Sequence, residues 1–399
     1  MQSRLLLLPM SQLYVFSDST SRLLLGSGLI DDGFQLHALP KTARHLRTLL
    51  CIPHVTGLKQ LVEDGLPDSW GKLLARHFER ALARSQERMP KELTRLDYLE
   101  QIPDELRCGA LRLSYDAEGS AFLSTDDVRL PEIGDLDGFA RISREIESNC
   151  SLSVQTLRGF VIAGRGLGGS RPKVNCIGPD GDIWIAKLPS ISDRRDKAAW
   201  EWVVTKTAQI AGIHVSEFDL TDASEGGRIF LTRRFDRTRP AMRRHFFSAH
   251  ALVSRARKAC DHSYLEIVDL IEKLTPSRQA DLEELWRRVA FQILIGNGDD
   301  HLRNHGFLLN EDGWHLAPAY DLNPSVSSTR MTLSFDENCF EFNLDALLSA
   351  APVWGLSVER ARELIEQVID AVSYWEHLAR SIDLPTSEIE FMRPAFKLY

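Results

Sequence analysis

The stretch ILIGNGDDHLRNHGFLL, residues 293–309, decides how the rest of the chain is read. Apolar runs at Ile293–Ile295 and Phe307–Leu309 bracket Asn297, Asp299, Asp300, His301, Asn304 and His305. Such groups are costly to bury without partners, and an ordinary core segment does not gather them together. Three readings are open. The polar residues can cap the end of a helix over 278–295. His301 and His305, four apart, can bind a metal. That requires an uninterrupted helix, while Gly296, Gly298 and Gly306 bracket the segment and no glutamate follows the first histidine. The third reading is phosphoryl transfer, which needs positioning and charge neutralisation more than covalent help. The spacing D-x-x-x-x-N offers Asp299 to orient a hydroxyl and Asn304 as an oxygen ligand for Mg²⁺. A second metal carboxylate should follow, and WHLAPAYDLNP (314–324) delivers Asp321 after an apolar run.

Upstream, AGRGLGGSRPK (163–173) contains a formal GxGxxG at Gly164, Gly166 and Gly169. A dinucleotide fold requires a helix directly after this pattern. Here Pro172 intervenes, and KVNCIGPDGDIWIAKLP (173–189) reads as two strands meeting at Pro179-Asp180-Gly181. A glycine loop ahead of a hairpin can instead close its backbone N–H groups over phosphates. Gly168, Gly169 and Ser170 are the loop candidates for that contact. Lys187 ends the second strand, sharing its face with Ile183 and Ile185, while Trp184 and Ala186 take the other; both faces read as buried. A lysine ending such a strand needs an anion, and Glu201 on the next helix is the natural ion-pair partner. The other reading leaves Lys187 as an exposed strand-end lysine.

Further outward, residues 1–66 show short apolar runs, with LLLGSGLI, DDG and FQLHAL (23–39) as strand, turn and strand. DSWGKLLARHFERAL (68–82) turns helical, with Asp68 as N-cap and Trp70, Leu73, Leu74, Phe78, Ala81 and Leu82 on one face. GALRLSY (109–115) and RIFLTRRF (228–235) read as strands; 137–148 and 198–212 read as helices, the latter stopped by Gly212. Beyond about 245 the helical patterns 263–274, 278–295, 357–380 and 385–396 dominate. The chain passes from mixed α/β to nearly all α.

Composition bounds the class. With 399 residues, 43% of them hydrophobic, the chain is a globular protein able to bury a sizeable core. Its six cysteines include no CxxC pair, which argues against a disulfide framework or zinc ribbon and fits a reducing cytoplasm. MQSRLLLLPM is too short for a signal-peptide core, and no run approaches a membrane span. A net charge of −8 gives no global attraction to nucleic acid. Locally RRFDRTRPAMRR (233–244) carries six arginines, either a solvated loop or an acid- or phosphate-binding patch.

LIGNGDDHLRNHGFLL, LAPAYDLNP, GGSRPK and RRFDR together resemble the HipA family, the serine/threonine kinase toxins of bacterial toxin–antitoxin modules. GLPDSWGKLL (65–74) and RLDYLE (95–100) resemble that family's N-terminal subdomain. The resemblance implies an α+β chain with a protein-kinase-like bilobal fold. Residues 1–135 would be the N-terminal α/β subdomain, 136–240 the kinase N-lobe with glycine loop and hinge, and 241–399 an all-helical C-lobe. It implies ATP and Mg²⁺ as cofactors, Lys187 on the phosphates, Asp299 as catalytic base, and Asn304 and Asp321 on the metal. Backbone around Arg233–Phe235 would face adenine, with His301 shaping the loop. Asp236 would either anchor the hinge through a neighbouring arginine or lie exposed. The implied partners are an aminoacyl-tRNA synthetase as acceptor and a HipB-like helix-turn-helix antitoxin that carries any operator DNA contact. A catalytically silent corepressor and a small-molecule or lipid kinase are the alternatives. This sequence departs from the family at Gly166, where a self-phosphorylated Ser or Thr is usual; Ser170 is the only hydroxyl between Gly164 and Lys173. Asp300, beside the proposed base, reads as solvated rather than as a metal ligand, and Trp200 as packing.

Overall fold

The computed structural model describes residues 62 and 64–398, apart from 117–120, 125–127, 225, 239–241, 254–261 and 337, together with the backbone of three N-terminal strands. Those strands are β1 (Ser11–Ser17), β2 (Leu23–Ile30) and β3 (Leu36–Ala38). β2 and β3 pair antiparallel, as the strand–turn–strand pattern requires; the DDG turn itself lies outside the described residues. Helices α1 (Ser69–Ser85) and α2 (Arg95–Glu100) follow, α2 held by a Thr94/Asp97 capping box. β4 (Leu111–Ser114) then joins β1, giving sheet order β3-β2-β1-β4.

α3 (Leu136–Glu147) matches the expected helix, but α4 (Val154–Gly164) was not legible as one. Its β-branched residues and Gly159 give it weak propensity. Ser153 caps it through the Thr156 N–H, and packing stabilises it. A Cβ on Gly164 would stand 2.7 Å from Leu74 Cδ1, so this glycine lets α4 close on α1. The glycine loop therefore connects a helix to a strand. β5 (Lys173–Ile177) and β6 (Ile183–Lys187) form the expected hairpin, with Gly181 at φ +81° in its turn. α5 (Lys197–Ile210), β7 (Phe218–Asp222) and β8 (Arg228–Arg233) complete an antiparallel sheet ordered β5-β6-β8-β7. One face of β6 is core, through Trp184 and Ala186; the Ile185 and Lys187 face is half-buried and roofs a cavity. The expectation of two buried faces is corrected accordingly.

The C-terminal half is not all helical. After β9 (Arg237–Thr238) and β10 (Met242–Arg243), β11 (Phe246–Ser248) pairs with β12 (Gly306–Asn310), which pairs with β13 (Gly313–Leu316). These runs are too short for periodicity to separate them from buried helix. Around them lie α6 (Ala249–Leu252), α7 (Tyr264–Leu274), α8 (Arg278–Leu294), α9 (Leu344–Ala350), α10 (Val358–Ser373), α11 (Trp375–Ser381) and α12 (Thr386–Met392). The helix expected over 357–380 is two helices meeting at Tyr374.

Two apolar cores result. One joins Trp70 and Leu74 of α1 to Phe160, Val174, Ala186 and Leu231 beneath the four-stranded sheet of β5–β8. The other gathers Trp286, Phe291, Phe307, Trp314 and Trp354 with Leu99, Leu111 and Leu113. Trp200 packs in the second core against Trp375 and Phe396.

Candidate functional site

A cavity of about 290 Å³ is walled by residues of both cores' elements. Gly166, Gly168 and Gly169 line it, as do Lys187, Glu201, Arg233, Phe235, Asp236, His301, Asn304 and Asp321. Asp299 and Ser170 do not: both side chains are exposed outside its lining. Asp299 nevertheless shares its loop with Asn304, whose Nδ2 lies 3.5 Å from the Asp299 carbonyl. A larger, more open groove of about 640 Å³ lies at the N-terminus of α5, lined by Arg195, Asp196, Asp222 and Arg228 among others. Its Arg228 pairs with its own Asp196 and Asp222, and no sequence-predicted residue reaches it.

The cavity's charge is organised around Lys187. Its Nζ meets Glu201 Oε1 and stands 3.0 Å from Asp321 Oδ1. Burial opposes the ammonium charge, but Asp321 and Glu201 outweigh it and hold Lys187 above the ordinary lysine range. Lys187 in turn holds Asp321 far below the usual carboxylate range. Burial pushes Glu201 up, with Lys187 opposing it. Asp321 sits at φ +58°, a left-handed conformation rare for a residue with a side chain, and its side chain is 44% exposed.

Sequence reading missed a second cation. β5 and β6 pair Lys173 with Lys187 directly, so both side chains leave the same face. Lys173 Nζ lies beneath Gly169, 2.5 Å from where a Cβ there would be. Burial, then repulsion by Lys187, lowers its pKa to about 8. The signal was available: a hairpin centred on Asp180 sets residue 173 opposite residue 187. Asp64 and Asp68, also unforeseen, line the same cavity.

The loop 296–305 is a bend with a 3-10 turn at Leu302–Asn304, so His301 and His305 do not share a helical face. Asp300 is not solvated: it is 1% exposed, accepts from Tyr264 Oη at 2.5 Å and lies 2.8 Å from His305 Nε2. Burial opposes its charge, yet His305 and Tyr264 keep it below the ordinary range. Nor are the described arginines of the run 233–244 solvated. Asp236, 4% exposed, binds Arg234 and Arg237 and accepts the Gly109 N–H. Arg233 pairs with Asp182 and Glu217, and Arg243 with Asp104. The acids are internal, and the run ties residues 104–109 to the segment after β8. There Phe235 packs against Tyr320 and Phe246 on the cavity wall.

Gly166 is at φ +82°, and a Cβ there would stand 2.8 Å from Ile102 Cγ2. No side chain fits this position as the loop lies. The donors beside Lys187 and Lys173 are Asn304 and Asp321, hard oxygens of the kind that could hold Mg²⁺ along with phosphates and waters. Among the described residues, no set of three or more His, Cys, Asp or Glu gathers in metal-binding geometry.

Comparison with known proteins gives the family. Y4dM of Sinorhizobium fredii, named as a kinase, is 27% identical over 267 residues, covering 60% of this chain and 61% of its own length. Y4mE of the same organism, also named as a kinase, is 23% identical over 215 residues, 50% of this chain and 49% of its own. The chain thus spans about half to three fifths of these relatives. A chain from the Shewanella oneidensis MR-1 complex of HipA, HipB and operator DNA superposes with a TM-score of 0.60. That match covers 86% of this chain and 85% of that one at 16% identity, a likeness of fold. No helix among the described residues is long and apolar enough to cross a membrane. The family described as the HipA-like C-terminal domain matches residues 165–375, over half of the 399, and the chain belongs to it.

Proposed function

We propose that the chain is an ATP- and Mg²⁺-dependent serine/threonine protein kinase of HipA type. One observation carries the reading: Lys187, Glu201 and Asp321 meet on a cavity whose other wall is the loop bearing Asn304 and Asp299. The two cores would be the two lobes, with the nucleotide between them and adenine beside Arg233–Phe235. Lys187 and Lys173 hold the phosphates under the glycine loop. Asn304 and Asp321 hold Mg²⁺, which neutralises phosphate charge when bound. Asp299, exposed and free to meet an incoming acceptor, orients its hydroxyl and takes its proton. The hydroxyl oxygen bonds to the γ-phosphorus as the bond to the β,γ-bridging oxygen breaks, and ADP leaves.

The acceptor is a protein, an aminoacyl-tRNA synthetase, whose modification halts translation and growth in the cytoplasm. A helix-turn-helix antitoxin restrains the chain and carries any DNA contact, a partnership supported by the complex of the Shewanella relative. Ser170, exposed at the end of the loop, is the hydroxyl open to self-modification.

Labelled ATP offered to the chain with candidate synthetases tests this, with phosphopeptide mapping of both proteins. Asp299→Asn is expected to lower transfer by about 10²–10⁴-fold. Equal labelling by wild type and variant would end the reading. Partner binding without transfer favours the corepressor, and phosphate found only on a lipid or small alcohol favours the third class.

A further inference from the structure

The family match begins at residue 165, yet Asp64, Leu66 and Asp68 line the cavity from far upstream. Asp68 occupies the N-cap position of α1 but makes no capping hydrogen bond with its side chain. An aspartate there ordinarily accepts the N–H of the second or third helical residue. Here Asp68 Oδ2 accepts instead from Gly169 N–H at 2.8 Å. The second helical residue is Trp70, and its N–H donates to the carbonyl of the same Gly169 at 3.3 Å. Donor and acceptor of a normal cap have both been turned onto one residue of the glycine loop. Trp70 Nε1 adds a bond to the Lys173 carbonyl at 3.3 Å, so the first turn of α1 also fixes the strand bearing the second lysine.

Four residues earlier, Asp64 is anchored to the opposite wall. It accepts from Ser248 N–H and Oγ, each at 2.6 Å, and lies 4.0 Å from Arg303 of the loop that carries Asn304. Its side chain is 8% exposed. Residues 64–68 thus form a strap from the cavity floor to its roof.

We propose that Asp68 is a positioning residue that presets the glycine loop for the triphosphate, with Asp64 fixing the strap's other end. The inference rests on the kinase reading. The useful property of Asp68 is its hydrogen-bond acceptor; its charge repels phosphate. The conservative carboxamide must therefore rescue what alanine loses.

The test measures Mg·ATP dissociation constants by calorimetry, and KM and kcat for phosphotransfer, on the full chain. Asp68→Ala is expected to raise Kd and KM for ATP about tenfold, the size of one lost charge-assisted hydrogen bond, with kcat changed less than about threefold. Asp68→Asn is expected to return both constants to within about threefold of wild type. Asp68→Ala also removes the Gly169 bond from the folded chain, so its melting temperature should fall by a few degrees while Asp68→Asn stays close to wild type, and affinities are compared well below both melting points. Wild-type affinity in Asp68→Ala overturns the proposal, as does equal weakness of the Asn and Ala forms or a loss confined to kcat. If Asp68→Ala fails to fold, Asp68→Asn decides alone: tenfold weakening overturns, threefold or less supports. Wild type that binds no Mg·ATP sinks the kinase reading itself, whereas wild type that binds and an unaffected Ala form sink only this proposal.

Discussion

Lys173 gives the site a pH dependence whose direction can be worked out. Its cross-strand partner is Lys187, and its ammonium is tucked beneath Gly169, so burial and then like-charge repulsion hold its pKa at about 8. Asp321, Glu201 and Asp68 pull the other way without restoring the ordinary value. Incoming phosphates favour the charged form, so nucleotide binds the protonated lysine and raises its pKa. Below pH 8 the ammonium is present and affinity is flat. Above it, each pH unit should weaken Mg·ATP about tenfold until the pKa of the bound state is reached. Nucleotide phosphates finish titrating near pH 6, so they add no slope here. Nor does unfolding through this lysine. Its unfolded pKa is the higher one, the unfolded chain holds more protons between the two values, and its contribution to stability rises with pH in that window. Calorimetry on Asp299→Asn, which prevents turnover, in buffers of differing ionisation heat should record about half a proton taken up per ATP near pH 8. Lys173→Met should flatten the profile and weaken binding at neutral pH. An affinity constant from about pH 7 to 9.5, or an unchanged slope in Lys173→Met, would refute the argument.

Two other substitutions probe the same walls. Lys187→Met leaves buried Glu201 facing Asp321 without their paired cation, only Lys173 remaining nearby, a loss on the order of 3 kcal/mol, and should abolish ATP binding and lower the melting temperature. Burial already raises Glu201, and the folded variant binds its proton more tightly than the unfolded chain. The melting deficit should therefore widen as pH rises; a pH-independent deficit would contradict the assignment. Gly166→Ser forces a side chain into φ +82° against Ile102, costing about 2–5 kcal/mol from backbone and overpacking together. It should displace the loop and weaken ATP binding, visible as loss of the ATP-dependent rise in melting temperature; a fully stabilised variant would show that the loop has room.

What the sequence made legible was whatever depends on neighbours in the chain. The β5–β6 hairpin follows from β-rich runs about Pro-Asp-Gly, and Lys187 from its place at the end of one of them. The D-x-x-x-x-N spacing brought Asn304 and Asp299 onto one loop, and Asp321 followed a readable apolar run. What escaped was decided by distant partners. Asp68 carries every local mark of a helix cap, and only Gly169, a hundred residues on, reveals that its acceptor is used elsewhere. α4 is weak by propensity and is made by packing on α1. The arginines of 233–244 look solvated until Asp104, Asp182 and Glu217 are brought against them from other elements. The short strands β11–β13 carry too few residues for a period to be read.

The pair Asp299-Asp300 shows why the loop 296–305 defeats residue-by-residue reading. Two adjacent carboxylates in a tight bend point opposite ways, so one must turn inward if the other faces out. An inward carboxylate is tolerable only with partners, and Tyr264 and His305 supply them from α7 and from the loop's own far end. That internal bond pins the bend between Gly298 and Gly306, where Thr332 also holds the Gly298 carbonyl at 2.6 Å. Asp299 is then held through its own backbone, its N–H on Asn297 and its carbonyl near Asn304, and its carboxylate is left exposed. The residue that reads as idle beside the proposed base is the one that fixes the bend carrying it. The identity of the exposed carboxylate follows from burial of its neighbour, not from the order of the two letters.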